Sequence, residues 1–90
     1  VYNTFMSEEL EILKKKILYR ASYRGTKEMD ILLSSFTKKY INTLNVNQLN
    51  QLEAFLKYED EIILNYYNLD IKEKNIENNE ISKLFKNYKI

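Results

Sequence analysis

Two arginines, Arg20 and Arg24, stand four residues apart in a chain whose every other basic residue is a lysine. The planar guanidinium fork binds carboxylates or phosphates through paired hydrogen bonds and stacks on π systems, which a lysine ammonium does not do. Four-residue spacing puts both arginines on one face of a helix. Arg24 is followed by Gly25, the only glycine, and then by Glu28 and Asp30. Tyr19 and Tyr23 repeat the same spacing and are expected to be half-buried fillers. Forks, a glycine and carboxylates gathered in a dozen residues suit recognition of a charged partner group. They do not suit bond-breaking chemistry. The chain has no histidine and no cysteine, which removes the commonest general base, the thiol nucleophile and the usual metal ligands. It also lacks a glycine-rich phosphate loop.

A second cluster, Glu59-Asp60-Glu61, could bind a hard cation only weakly. Its side chains diverge around a helix, and it lacks the glycine turn of a calcium loop. The N-terminus of a helix accounts for it, since acidic residues there offset the helix dipole. A small bundle offers no deep cleft in which to raise a carboxyl pKa. No catalytic residue, no metal site and no enzyme activity are expected.

Ninety residues make one domain with a small core. The absence of proline, with a single glycine, argues for helices throughout. A net charge of +1 gives no field to favour nucleic acid. No apolar run has the length of a membrane span. Residues 1–6 carry no signal-peptide or transit-peptide pattern and are expected to be a flexible N-terminus. The chain reads as a soluble monomer of the bacterial cytoplasm.

The elements that must position the arginines follow from periodicity. Ser7 is a candidate N-cap, followed by a stripe of Leu10, Leu13, Ile17 and Ala21. Lys14, Lys15 and Lys16 read as a solvated face. Gly25 is expected to end this helix in a left-handed C-terminal cap. Thr26 then caps a second helix with Glu28 and Asp30 in its first turn and a stripe of Met29, Leu32, Leu33, Phe36, Tyr40 and Leu44. Asn45 and Gln48 form a capping box for a third helix that turns Leu49, Leu52, Phe55 and Leu56 inward. A short fourth helix carries Ile62, Ile63, Tyr66 and Tyr67. Residues 68–80 are polar and read as a loop. A last helix carries Ile81, Leu84, Phe85 and Tyr88. The fold class is all-α, a small five-helix bundle.

The corner between the first two helices has two readings at this level. In one, Gly25 is only a cap, and Arg20, Arg24 and Glu28 only offset helix dipoles. In the other, the corner is a rigid convex edge that enters a partner's groove.

Arg24-Gly25-Thr26-Lys27-Glu28 has the form R-G-x-x-E. It is preceded by Ile17-Leu18-Tyr19-Arg20 and followed by Met29-Asp30-Ile31-Leu32-Leu33-Ser34-Ser35-Phe36. Leu44, the run from Gln48 to Leu56 and the segment from Glu59 to Tyr67 complete the pattern. Over residues 10–67 the chain resembles the SdhE family, small flavinylation assembly factors of succinate dehydrogenase. It departs from that family in having Tyr23 where a further basic residue is frequent, and in lacking prolines after the fourth helix. The resemblance implies a non-catalytic chaperone that binds the flavoprotein subunit of succinate dehydrogenase, or of fumarate reductase. It further implies that the chain promotes covalent attachment of FAD to that partner, with FAD the partner's cofactor and none held permanently here. Arg24, Gly25 and Glu28 would meet the partner, Arg24 through a carboxylate or backbone group, with Arg20, Tyr23 and Asp30 in support. On this reading Arg24→Ala or Gly25→Glu leaves the helical fold largely intact and abolishes flavin attachment. From another class, an antitoxin-like or other regulatory protein-interaction module fits the same composition.

Overall fold

The computed structural model describes the backbone of residues 2–68 and 76–90, and the side chains of residues 8–68 and 76–90. Five helices follow in order: α1 (Tyr2–Ser22), α2 (Lys27–Tyr40), α3 (Val46–Phe55), α4 (Asp60–Asn68) and α5 (Glu80–Lys86). The described residues contain no strand. The all-α, five-helix reading holds.

Local sequence explains most of the boundaries. Thr26 caps α2, its hydroxyl accepting the Met29 N–H at 3.2 Å. Asn45 and Gln48 form a reciprocal capping box at the start of α3, with bonds of 2.8 and 2.9 Å. Asp60 and Glu61 occupy the first turn of α4, where the dipole favours them. A second capping box, Asn79 with Ser82, starts α5. The sequence reading did not find it, because Ser at the third position is a weaker box signal than Glu or Gln.

Two boundaries differ from expectation. Helix α1 begins at Tyr2, not after Ser7, so the segment expected to be flexible is helical from its second residue. Residues 2–6 contain neither glycine nor proline, so nothing in them stops the helix from extending toward the N-terminus. The hydroxyl of Ser7 lies outside the described side chains. The expected 68–80 loop is shorter than supposed at both ends, since α4 includes Asn68 and α5 begins at Glu80. Residues 69–75 lie outside the described residues. Beyond them Ile76 is buried, and the Glu77 N–H donates to the Tyr58 hydroxyl at 3.1 Å. Ile76 thus anchors the connection to the core, while Glu77 and Asn78 are exposed.

The core gathers one stripe from each helix. Ile17 and Ala21 of α1 meet Met29, Leu32, Leu33 and Phe36 of α2, Leu49, Leu52 and Phe55 of α3, Ile63 of α4, and Ile81 and Phe85 of α5. Phe85 is the hub of its aromatic part. Its ring centroid lies 5.1 Å from Phe36 in an edge-on contact, and 5.0 Å from each of Phe55 and Tyr67. One side chain thus ties α5 to α2, α3 and α4. Two tyrosine hydroxyls fasten the same joint, Tyr66 donating to the Ser82 carbonyl at 3.0 Å and Tyr67 to the Tyr88 carbonyl at 2.6 Å. Tyrosine suits this place, because its ring is half-buried against the core while its hydroxyl still finds an acceptor. Across the surface, Lys16 of the lysine run pairs with Glu53 of α3 at 3.2 Å, a pair exposed enough to contribute little.

Candidate functional site

Helix α1 stops at Ser22, whose hydroxyl donates back to the Leu18 carbonyl at 2.9 Å. Four residues, Tyr23 to Thr26, then turn the chain into α2. Two carboxylates hold this corner from different directions. Asp30, in the first turn of α2, accepts the Arg24 backbone N–H. Asp60, the first residue of α4, accepts the Gly25 N–H on Oδ2 at 2.8 Å and the Arg24 Nε–H on Oδ1 at 2.8 Å. Asp30 therefore holds the corner from inside the chain.

The Arg24 guanidinium is turned inward. Its side chain is 10 % exposed, and that of Asp60 24 %. Beyond Asp60 it donates from Nη1 to the Leu56 carbonyl at 2.7 Å and, more weakly, to the Arg20 carbonyl at 3.4 Å. From Nη2 it donates to the Tyr58 carbonyl at 2.9 Å. Leu56 and Tyr58 lie in the turn that follows α3, where carbonyls lack helical partners and carry the negative end of the helix dipole. Arg24 thus sits between the C-terminal end of α3 and a carboxylate at the N-terminal end of α4, with attraction to both. A lysine has no fork to span these acceptors.

Gly25 departs from expectation. Its φ is not in the left-handed region, so it is not a left-handed helix cap. The glycine leaves room for a close approach instead: a Cβ built on it would lie 3.2 Å from Asp60 Oδ2, tighter than an ordinary van der Waals contact. Because the Gly25 N–H points at that carboxylate, any side chain there crowds the bond that holds the corner.

Arg20 and Arg24 do not form a joint cationic face. Arg24 lies past the helix end and folds back under the α3–α4 turn, while Arg20 is half-buried on α1. Among the described residues, neither the Arg20 guanidinium, the Lys27 ammonium nor the Glu28 carboxylate has a hydrogen-bond or ion-pair partner. Lys27 and Glu28 are exposed. Tyr19 and Tyr23 are not the half-buried fillers expected: they are 64 % and 70 % exposed, their ring centroids 4.5 Å apart. The core stripe of α1 runs through Ile17 and Ala21; position 19 falls on the opposite side of the helix, and Tyr23 follows just past the helix end. Of the acidic cluster, Asp60 turns to the corner while Glu59 and Glu61 stay exposed.

Asp60 and the two turn carbonyls are the members that sequence reasoning missed. Asp60 lies 36 residues from Arg24, and its place in a first helical turn already explained its charge. No local signal marks such a pairing. The corner as built is held by Asp30 and Asp60. It is a locked turn that displays two tyrosine rings and three unpartnered charges.

A family model described as the flavinator of succinate dehydrogenase, Sdh5, matches residues 15–89. The match thus continues through α5, beyond the 10–67 segment on which the sequence resemblance rested. Among curated relatives, the mitochondrial succinate dehydrogenase assembly factor 2 of Danio rerio is 43 % identical over 49 residues, covering 54 % of this chain and 31 % of that protein. The mitochondrial assembly factor 2-B of Drosophila ananassae is 32 % identical over 84 residues, covering 91 % of this chain and 52 % of its own length. The factor of Dictyostelium discoideum is 40 % identical over 58 residues, covering 64 % of this chain and 41 % of its own. The chain therefore spans about half or less of these relatives. No solved structure matches it. With a family match over most of its length, this chain belongs to the Sdh5 family of succinate dehydrogenase flavinators.

Proposed function

We propose that this chain is a non-enzymatic assembly factor that docks its Tyr23–Glu28 corner on the flavoprotein subunit of succinate dehydrogenase and promotes covalent attachment of FAD there. A fumarate reductase flavoprotein is an equivalent client. One observation carries this reading. The corner is locked by Asp30 and Asp60, yet it leaves Arg20, Lys27, Glu28 and the Tyr19–Tyr23 pair without internal charge partners. A backbone corner fixed before binding loses little freedom on docking.

The division of labour within the motif follows from which groups are already bonded inside the chain. Arg24 and Gly25 act inside the chain, giving the corner its shape. Glu28 and Lys27 face outward and meet the partner's charges, with Arg20 and Tyr23 beside them. The sequence-level role for Arg24, pairing with a partner carboxylate, passes to these exposed groups, because the donors of Arg24 already serve Asp60, Leu56 and Tyr58.

The residues of this corner do not fit a flavin. Two of its backbone donors, the Arg24 and Gly25 N–H groups, already bond to Asp30 and Asp60. Two carboxylates lining the turn repel a pyrophosphate rather than cradle it. FAD accordingly belongs to the partner. This chain's contribution is to hold the partner's domains in the arrangement in which attachment proceeds, a preorganising effect. The compartment is that of the client, bacterial cytoplasm or mitochondrion, the latter being the one in the relatives' names.

The test is co-expression of the flavoprotein subunit with and without this chain, reading covalent flavin by in-gel fluorescence and complex formation by co-purification. Fluorescence that rises only with the chain present is the expected result. Equal fluorescence in both, with no flavoprotein co-purifying, would return the reading to an antitoxin-like interaction module.

A further inference from the structure

We propose that Asp60 is a positioning residue of the docking corner. One carboxylate at the start of α4 sets Arg24 and Gly25 together, and so sets how Lys27 and Glu28 are displayed. This rests on the docking role proposed for the corner. Both carboxylate oxygens are engaged, Oδ1 by the Arg24 side chain and Oδ2 by the Gly25 backbone, each at 2.8 Å. Asp60 is itself placed by α4, which is anchored through the fully buried Ile63. The chain of support therefore runs from the core, through α4, to one carboxylate, to two consecutive residues of the motif. Glu59 and Glu61 are exposed and cannot substitute, since adjacent residues of a helix point in different directions.

The chemistry demands an aspartate at this place. An asparagine has one acceptor oxygen, so it serves either Arg24 or Gly25 and turns an N–H₂ group against the other donor. A glutamate adds a methylene and pushes the carboxylate into the space that Gly25 leaves open. The 3.2 Å approach of Asp60 to a Cβ at position 25 couples the two sites sterically. Gly25 and Asp60 are thus one device, in which the glycine exists for the carboxylate.

Because Gly25 is the only glycine, labelling with 15N-glycine yields a single amide resonance that reports this bond directly. We would compare wild type, Asp60→Asn, Asp60→Ala, Glu28→Gln and, as a destabilised core control, Ile81→Val, all well below their melting temperatures. In Asp60→Ala the Gly25 resonance moves upfield and its hydrogen exchange speeds up by about tenfold or more, the loss expected for a bond to a charged acceptor, and Asp60→Asn does the same where its one oxygen serves Arg24. The Kd for the flavoprotein subunit weakens by about tenfold in the same variants, as expected for misplaced contact groups. Ile81→Val leaves resonance and Kd unchanged. Glu28→Gln keeps the resonance and loses affinity. In the Asp60→Ala background, Gly25→Ala adds no further loss of affinity. An Asp60→Ala resonance at the wild-type position would overturn the proposal, as would a shifted resonance with wild-type Kd. Should the wild-type chain fail to bind the flavoprotein, the docking reading falls, and the glycine resonance alone decides whether Asp60 sets the corner.

Discussion

Arg24 and Asp60 meet at 2.8 Å across 36 residues, and the contact joins the corner between α1 and α2 to the turn between α3 and α4. Replacing Arg24 by alanine leaves the Asp60 carboxylate without its cation and the Leu56 and Tyr58 carbonyls without donors. With one partner mostly buried and the other partly so, the cost is about 2–4 kcal/mol. For a domain of this size that lowers the melting temperature by roughly 10 °C or more. Arg24→Lys recovers only part, since one ammonium cannot span all the acceptors. This replaces the sequence-level expectation that Arg24→Ala leaves the fold largely intact. Thermal unfolding followed by circular dichroism decides it, and a midpoint within about 2 °C of wild type would refute the internal role.

Gly25→Ala acts through crowding rather than backbone strain, because Gly25 does not have a positive φ. The added Cβ meets Asp60 Oδ2 at 3.2 Å, and a small shift of the carboxylate relieves it at a cost of about 1 kcal/mol. Gly25→Glu adds a negative charge beside both Asp30 and Asp60, so it costs more than alanine. Part of that excess is recovered in high salt, where like charges are screened. Melting curves of both variants at low and high ionic strength test the distinction. If glutamate shows no salt recovery relative to alanine, repulsion is not the cause.

Glu28→Gln separates display from folding. Glu28 is exposed and has no partner among the described residues. Its only stabilising contribution is to the dipole of α2, about 0.3–1 kcal/mol. Covalent flavin on the client is expected to fall several-fold more than any loss of folded chain explains. The same holds for the double variant Tyr19→Ser with Tyr23→Ser, which removes two exposed rings and no buried contact. Gel fluorescence normalised to the amount of folded chain makes the comparison. Normal flavinylation by Glu28→Gln would remove Glu28 from the docking surface.

Phe85→Ala tests the other end of the molecule. The ring touches Phe36, Phe55 and Tyr67, and it is fully buried. Truncation leaves a cavity at the meeting point of four helices and costs about 3–5 kcal/mol. That is comparable with the whole stability of a small domain. The expected result is loss of α5 packing, read as rapid amide exchange at Ile81 and Ser82, followed by global unfolding on mild heating. Retained protection in α5 would show that the tyrosine hydroxyl bonds to Ser82 and Tyr88 suffice.

Local patterns carried much of this protein. The Asn45–Gln48 box, the Thr26 cap, the acidic start of α4 and the inward stripes of α2, α3 and α5 are each written within a few consecutive residues. Each describes how a segment satisfies its own backbone or aligns its own apolar face, and such terms do not depend on the rest of the chain. The R-G-x-x-E spacing likewise marked the corner as the place where chemistry gathers. What Arg24 and Gly25 do there was decided only by the tertiary structure. Periodicity does not say that the first residue of α4 lies under the end of α1. Nor does it say that the turn after α3 offers bare carbonyls to a guanidinium from the same direction. A charged group takes whichever partner spares it the cost of burial without compensation, and that partner is set by the packing of four helices. Tyr19 and Tyr23 show the same limit in reverse. Their spacing fits burial as well as exposure, and only the direction from which α2 and α3 approach α1 left them facing outward.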